Sequence, residues 1–95
     1  MDQAAAEKYL VAAIQPAFIK LITTLERMST FEHDAIEQGF KSVLAETGLS
    51  MSKLAQPVRV ALMGGTVSPG IFDVMVLLGR DRTIARLKKA IDLIR

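Results

Sequence analysis

Apolar residues recur at three- and four-residue steps along almost the whole chain, the spacing that lines one face of an α-helix. Leu10, Ile14, Phe18, Leu21, Leu25 and Met28 form the first stripe and predict a first helix, with a bend near Pro16. The pattern restarts in "STFEHDAIEQGFKSVLAETG" with Ile36, Phe40 and Val43 or Leu44. Its start has two solutions: a capping box from Ser29 to Glu32, or a cap at Glu32 with Phe31 and Ile36 as a hydrophobic staple. Gly48 supplies a left-handed stop, and Leu49 can fold back onto the helix that ends there.

A third stripe, Met51, Leu54, Val58 and Ala61 or Leu62, places a helix over "SMSKLAQPVRVALMG", with Pro57 removing one backbone donor inside it. Gly64 and Gly65 end this helix. Ser68 followed by Pro69 has the form of a helix start, a hydroxyl cap and then a proline at the first turn. "PGIFDVMVLLG" is apolar on nearly every side, the pattern of a central helix enclosed by its neighbours, and Gly79 ends it. In "RDRTIARLKKAIDLIR", Ile84, Leu87, Ile91 and Ile94 fall on one face and Arg82, Arg86 and Lys89 on another. No segment alternates as a strand would, so the pattern predicts an all-α fold, a five-helix bundle forming a single domain over residues 1–95.

The 95 residues suffice for one core without metal or disulfide support. With no cysteine in the chain, disulfide scaffolds, thiol nucleophiles and thiolate zinc sites are excluded together. The one histidine, His33, is too little for an imidazole metal cluster and sits among Glu32, Asp34 and Glu37, as a surface histidine would. "MDQAAAEKYLVAAI" lacks the basic start of a secretory signal, and no run approaches the ~18 apolar residues of a membrane span. A cytoplasmic protein with no membrane partner is the expectation.

Charge is uneven: residues 1–50 carry four basic and seven acidic side chains, residues 51–95 eight basic and three acidic. The C-terminal half, net +5, is either ordinary solvated surface or the side that meets a polyanion or an acidic partner. No carboxylates are set apart in an apolar frame, and "MGGTVSPG" lacks the lysine of a phosphate-binding loop, so no catalytic or metal site is assigned. "SMSKL", residues 50–54, resembles a nucleotide-activating "KMSKS" loop only by coincidence, since it opens an amphipathic helix.

The loop in "RVALMGGTVSPGIF", residues 59–72, is the remaining candidate. Gly64 and Gly65 permit close backbone approach of a ligand, and a helix starting at Ser68 presents unpaired N–H groups to phosphate or to base edges. The same residues also suit a tight helix-to-helix turn. Arg59, on the flank of the preceding helix, can project beside the loop as a bidentate donor or lie along the surface. Arg82 and Arg86, with Lys89, Arg80 and Lys88, could track a phosphate backbone or form a solvated face.

The stretch "KLAQPVRVALMGGTVSPGIFDVMVLLGRDRTIARLKKAIDLI", residues 53–94, closely resembles the C-terminal anticodon-binding domain of bacterial glutamyl-tRNA synthetases. An arginine nine residues before a Thr/Ser-Pro step, the run "LLG" and a closing basic helix carry the resemblance, and residues 1–52 match more loosely. It implies an α-helical cage reading the anticodon of glutamate tRNA, with Arg59, Ser68, Pro69 and Ile71 in the contacting positions and Thr66 in the loop between. RNA rather than DNA is the implied partner, and the chain is expected to be a monomer. ATP and Mg would serve the family's catalytic domain, whose "HIGH" and "KMSKS" signatures are absent here, so that this segment needs no cofactor and looks like an excised domain or a free-standing relative. Met63 and Gly65 depart from the family, which often has threonine and arginine there. The competing reading is a helical interaction domain whose basic last helix docks an acidic partner.

Overall fold

A computed structural model describes residues 3–65 and 70–94. Among them every regular element is helical: α1 (Gln3–Tyr9), α2 (Gln15–Arg27), α3 (His33–Thr47), α4 (Met51–Met63), α5 (Ile71–Leu78) and α6 (Arg80–Leu93), with a 3-10 turn over Ala12–Ile14. The all-α expectation holds, but the helices number six, because the first one divides. The chain turns extended at Val11 (φ −113, ψ 159) and re-enters a helix with Pro16 in its first turn. A continuous helix would drive the Pro16 ring into the carbonyl of Ala12, four residues back, and would lose that carbonyl's donor. Placing the proline at a helix start removes both costs.

Of the two starts open to the second predicted helix, the structure has the later one. Glu32 is the N-cap residue, with extended φ/ψ and no side-chain cap, while Phe31 and Ile36 on either side of it join the hydrophobic cluster. Gly48 ends α3 in the left-handed conformation, its amide donating to the Leu44 carbonyl, and Leu49 packs back against the core. Ser50 caps α4 by accepting from the Lys53 amide at 3.3 Å. Pro57 lies buried in the α4 interior, yet the helix runs unbroken to Met63.

The core is one cluster drawn from every part of the described chain, with Phe18, Leu21, Leu25, Phe40, Leu54, Val58, Met75 and Leu87 wholly enclosed. α2 lies between α3 and α6, and α4 packs on α1, α5 and α6. On α6 the buried stripe is Thr83, Leu87 and Ala90, so that Ile84 and Ile91 sit half-buried at its edge rather than at its centre. The shift lets Thr83 Oγ1 donate to the Met75 carbonyl of α5 at 3.4 Å.

The expectation that α5 is enclosed on all sides fails. Ile71, Val74 and Met75 are buried, but Val76 is 42% and Leu77 83% exposed. An eight-residue helix has barely two turns, and α3, α4 and α6 together cover only one flank of it. The start of α5 also lies later than a Ser68 cap would place it, with Gly70 as the N-cap residue. That register puts Asp73 at the third helical position, its carboxylate close over Gly70, where an acid favours the helix N-terminus; a cap at Ser68 would put Ile71 there instead. Ser68 and Pro69 themselves lie outside the described residues.

A single residue joins α5 to α6. Gly79 has φ 83 and ψ 164, a conformation closed to L side chains; its amide ends α5 on the Met75 carbonyl while its own carbonyl accepts from Thr83 to open α6. The two helices therefore meet at a fixed corner, which sets the basic face of α6 relative to the start of α5.

Candidate nucleic-acid interface

α4 and the first turn of α5 enclose a groove of about 570 Å³, open to solvent and lined by Ser52, Ala55, Arg59, Gly70, Ile71 and Phe72 among others. Arg59 reaches it because it falls just off the α4 stripe that Leu54, Val58, Ala61 and Leu62 bury, the flank position expected from its spacing. The side chain is half-buried, and its Nε is buried with no hydrogen-bond partner among the described residues. Gln56, one turn earlier, is in the same condition at Oε1. Neither Gln56 nor Phe72 stood out in the sequence, although Gln56 stands three residues before Arg59 and shares its face, a signal available from spacing alone.

Phe72 makes one wall of the groove and is held from two sides. Its ring meets Phe40 edge-on at 5.4 Å and the His33 ring at 5.5 Å. His33 Nε2 lies 3.8 Å from Asp73 Oδ1, and His33 Nδ1 lies 3.4 Å from Asp34 Oδ1, so the imidazole sits between two exposed carboxylates, on the surface as its neighbours suggested. The carboxylate of Asp73 over the start of α5 changes what that terminus can accept. Its negative charge opposes a phosphate there and leaves the helix-terminal backbone donors better suited to the neutral carbonyl and ring-nitrogen acceptors of a base.

The loop residues fall into two groups. Gly64 ends α4 in the left-handed conformation at φ 81, its amide donating to the Val60 carbonyl at 2.9 Å. Gly65 has no such requirement, but a Cβ built on it would meet nothing within 4 Å, so its backbone faces open space beside the end of α4. Thr66, Ser68 and Pro69 lie outside the described residues. Ile71 opens α5 and is almost wholly buried, 4% exposed, presenting only its edge to the groove that Arg59 also lines. Met63 is 48% exposed at the end of α4.

Three of the five basic side chains on α6 are engaged within the fold. Arg86 donates from Nη1 to the Leu62 carbonyl in the last turn of α4. Arg80 donates to the Met28 carbonyl at the end of α2 and lies over the Phe31 ring, 5.7 Å from its centre. Lys88 stands 3.7 Å from Glu26. Arg82 and Lys89 remain exposed without a described partner. Among the described residues no group of three or more acidic, His or Cys side chains is arranged to hold a metal ion, and no helix is long and apolar enough to cross a membrane.

Comparison with known proteins identifies the family. The family model described as "Anticodon binding domain" matches residues 1–91. A glutamate--tRNA ligase of Syntrophobacter fumaroxidans is 44% identical over 90 residues, which cover 95% of this chain and 19% of that protein. A second, from Geotalea uraniireducens, is 44% identical over 94 residues, 99% of this chain and 20% of that one. The crystal structure of a glutamate tRNA ligase from Elizabethkingia meningosepticum in complex with its amino acid superposes with a TM-score of 0.89 at 26% identity, over 97% of this chain and 18% of that one. The chain thus spans about a fifth of the length of the curated relatives it matches. With a family model covering nearly all of it and relatives this similar, the chain belongs to the anticodon-binding domain family, in the form that glutamate--tRNA ligases carry.

Proposed function

We propose that this chain is the tRNA-recognition module of a glutamate--tRNA ligase, a single domain over residues 1–95 that reads anticodon bases of the glutamate tRNA. The observation that carries the proposal is Arg59: a half-buried guanidinium in an open groove, its Nε desolvated and unbonded among the described residues, beside the backbone donors at the start of α5. A donor left unsatisfied in the free protein costs stability unless a ligand fills it. Single-stranded loops, whose bases are splayed and read on their edges, match such a site. Gly64, Gly65, Thr66, Ser68, Pro69 and Ile71 complete the reading surface, with Arg82 on the phosphate backbone beyond it. Arg86 serves as a brace beneath this surface in addition to the contact the sequence assigned to it.

Glutamate activation with ATP and Mg belongs to the catalytic domain of the parent enzyme, which acts in the cytoplasm, and this domain supplies base specificity as a monomeric module. The alternative, a basic last helix docking an acidic partner, is weakened by the engagement of Arg80, Arg86 and Lys88 within the fold. Titration of the chain with the anticodon stem-loop of glutamate tRNA, and with one of altered anticodon, tests the proposal. Tighter binding of the cognate loop, and a loss of about tenfold or more on Arg59→Ala, are expected. Equal affinity for the two loops would refute it.

A further inference from the structure

α1, the turn after it and the first half of α4 enclose a second hollow of about 220 Å³, which shares no lining residue with the groove of Arg59. Its inner surface is apolar: Ile14 and Pro57 are buried and Leu49 is half-buried. Its rim runs onto Val11, Ala12 and Ala13, three consecutive apolar residues that are all exposed, with Pro16 exposed beyond them. An exposed run of this kind is uncommon on a surface left to solvent.

The charges at the mouth are of one sign. Lys8 and Lys53 are the charged side chains that line it, both exposed, and neither ammonium forms an ion pair among the described residues. Lys53 stands three residues after the Ser50 cap, where a glutamate would complete a capping box and suit the helix dipole; a cation there is disfavoured. Pro57, four residues on, has no N–H for the Lys53 carbonyl, so α4 carries a main-chain acceptor without its helical donor at this point. Two cations without carboxylates, an acceptor without its donor and an apolar hollow are together complementary to a polypeptide that carries an apolar side chain beside acids. RNA bases are a poorer match. The aromatic ring that lines the pocket, Tyr9, has the Lys8 ammonium over it at 5.2 Å, where a base would stack.

We propose that this pocket seats a segment of the longer ligase that lies outside these 95 residues, with an apolar side chain in the hollow and carboxylates against Lys8 and Lys53. Relatives that match 95% and 99% of this chain devote only 19% and 20% of their own length to the match, so most of such an enzyme is available to supply the segment. The proposal rests on the ligase reading above, but not on which bases are read.

The test compares lysine acetylation, site by site by mass spectrometry, in the 95-residue chain and in the full-length ligase, with exposed Lys89 of α6 as the reference. In the chain alone, Lys8, Lys53 and Lys89 should react at similar rates. In the ligase without tRNA, Lys8 and Lys53 should slow relative to Lys89 by about tenfold, since linkage in one polypeptide keeps a complementary segment docked. Ala13→Asp, which sets a carboxylate on the exposed rim, should restore their rates in the ligase and leave the melting temperature of the 95-residue chain unchanged; Ala13→Ser should retain the protection. Equal rates in chain and ligase, or protection that survives Ala13→Asp, would overturn the proposal. So would protection that appears only when tRNA is added, which would assign the face to RNA, or that grows with the concentration of the chain alone, which would assign it to a second copy. Each of these outcomes leaves the ligase reading intact, whereas failure of the stem-loop titration above would remove that reading and this proposal with it.

Discussion

Arg86 on α6 donates from its guanidinium to the main-chain carbonyl of Leu62, one residue from the end of α4. Carbonyls in the last turn of a helix have no amide partner of their own, and a cationic donor there also favours the helix dipole. The bond holds the end of α4, and with it the base of the 64–70 loop, against the last helix. Arg86→Ala should therefore lower stability by about 1 kcal/mol, at the modest end for a charged donor because the side chain is largely solvated. In a domain of this size that is a fall of roughly 4 to 8 °C in melting temperature, readable by circular dichroism. Arg86→Lys, with a charge but no fork, should recover only part of it.

Arg82 offers the contrast. It stands four residues before Arg86 on the same helix, exposed and without a described partner. Arg82→Ala should leave the melting temperature nearly unchanged, within about 0.5 kcal/mol of stability. If it contacts a phosphate, the substitution weakens RNA of any sequence alike and reduces the slope of log affinity against log salt by about 1. An unchanged slope would remove Arg82 from the interface.

These two arginines show where the sequence stops being informative. Helix period, and the stops at Gly48, Gly64 and Gly79, are local properties, and they delivered the all-α fold and most of its boundaries. A pattern of charges three and four apart identifies a face, but not whether a guanidinium on it meets solvent or a carbonyl 24 residues away. Long-range packing likewise decided that Val76 and Leu77 remain uncovered, which an apolar run cannot reveal. At the site, Arg59 was legible from its position beside the buried stripe. Gln56 was not singled out because the burial of its Oε1 without a partner among the described residues is a fact that only the packed structure contains.

The crossing of α2 and α3 depends on an absent side chain. A Cβ placed on Gly39 would stand 2.9 Å from Thr24 Cγ2, closer than real carbon atoms approach. Thr24 has little room to yield, since it is β-branched and its hydroxyl donates to the Lys20 carbonyl at 2.8 Å. Gly39→Val should push the two helices apart and cost about 1 to 3 kcal/mol, measured as a lower urea midpoint. Gly39→Ala gains up to about 1 kcal/mol of helix propensity against the same contact and should change stability less.

Exposure along α5 predicts opposite outcomes at residues two apart. Met75 is wholly buried, and its carbonyl receives both the Gly79 amide and the Thr83 hydroxyl; Leu77 is 83% exposed. Met75→Ala empties core volume beside the joint that fixes α6 against α5, and should cost about 2 to 5 kcal/mol. Leu77→Ser removes almost no buried area and should move stability by less than about 0.5 kcal/mol. The same pair separates core from interface in the longer enzyme proposed above. If Leu77 meets another part of the longer protein, Leu77→Ser will lower the melting temperature of the full-length ligase while leaving that of the 95-residue chain unchanged. Equal, negligible shifts in both would leave Leu77 as solvent-facing surface.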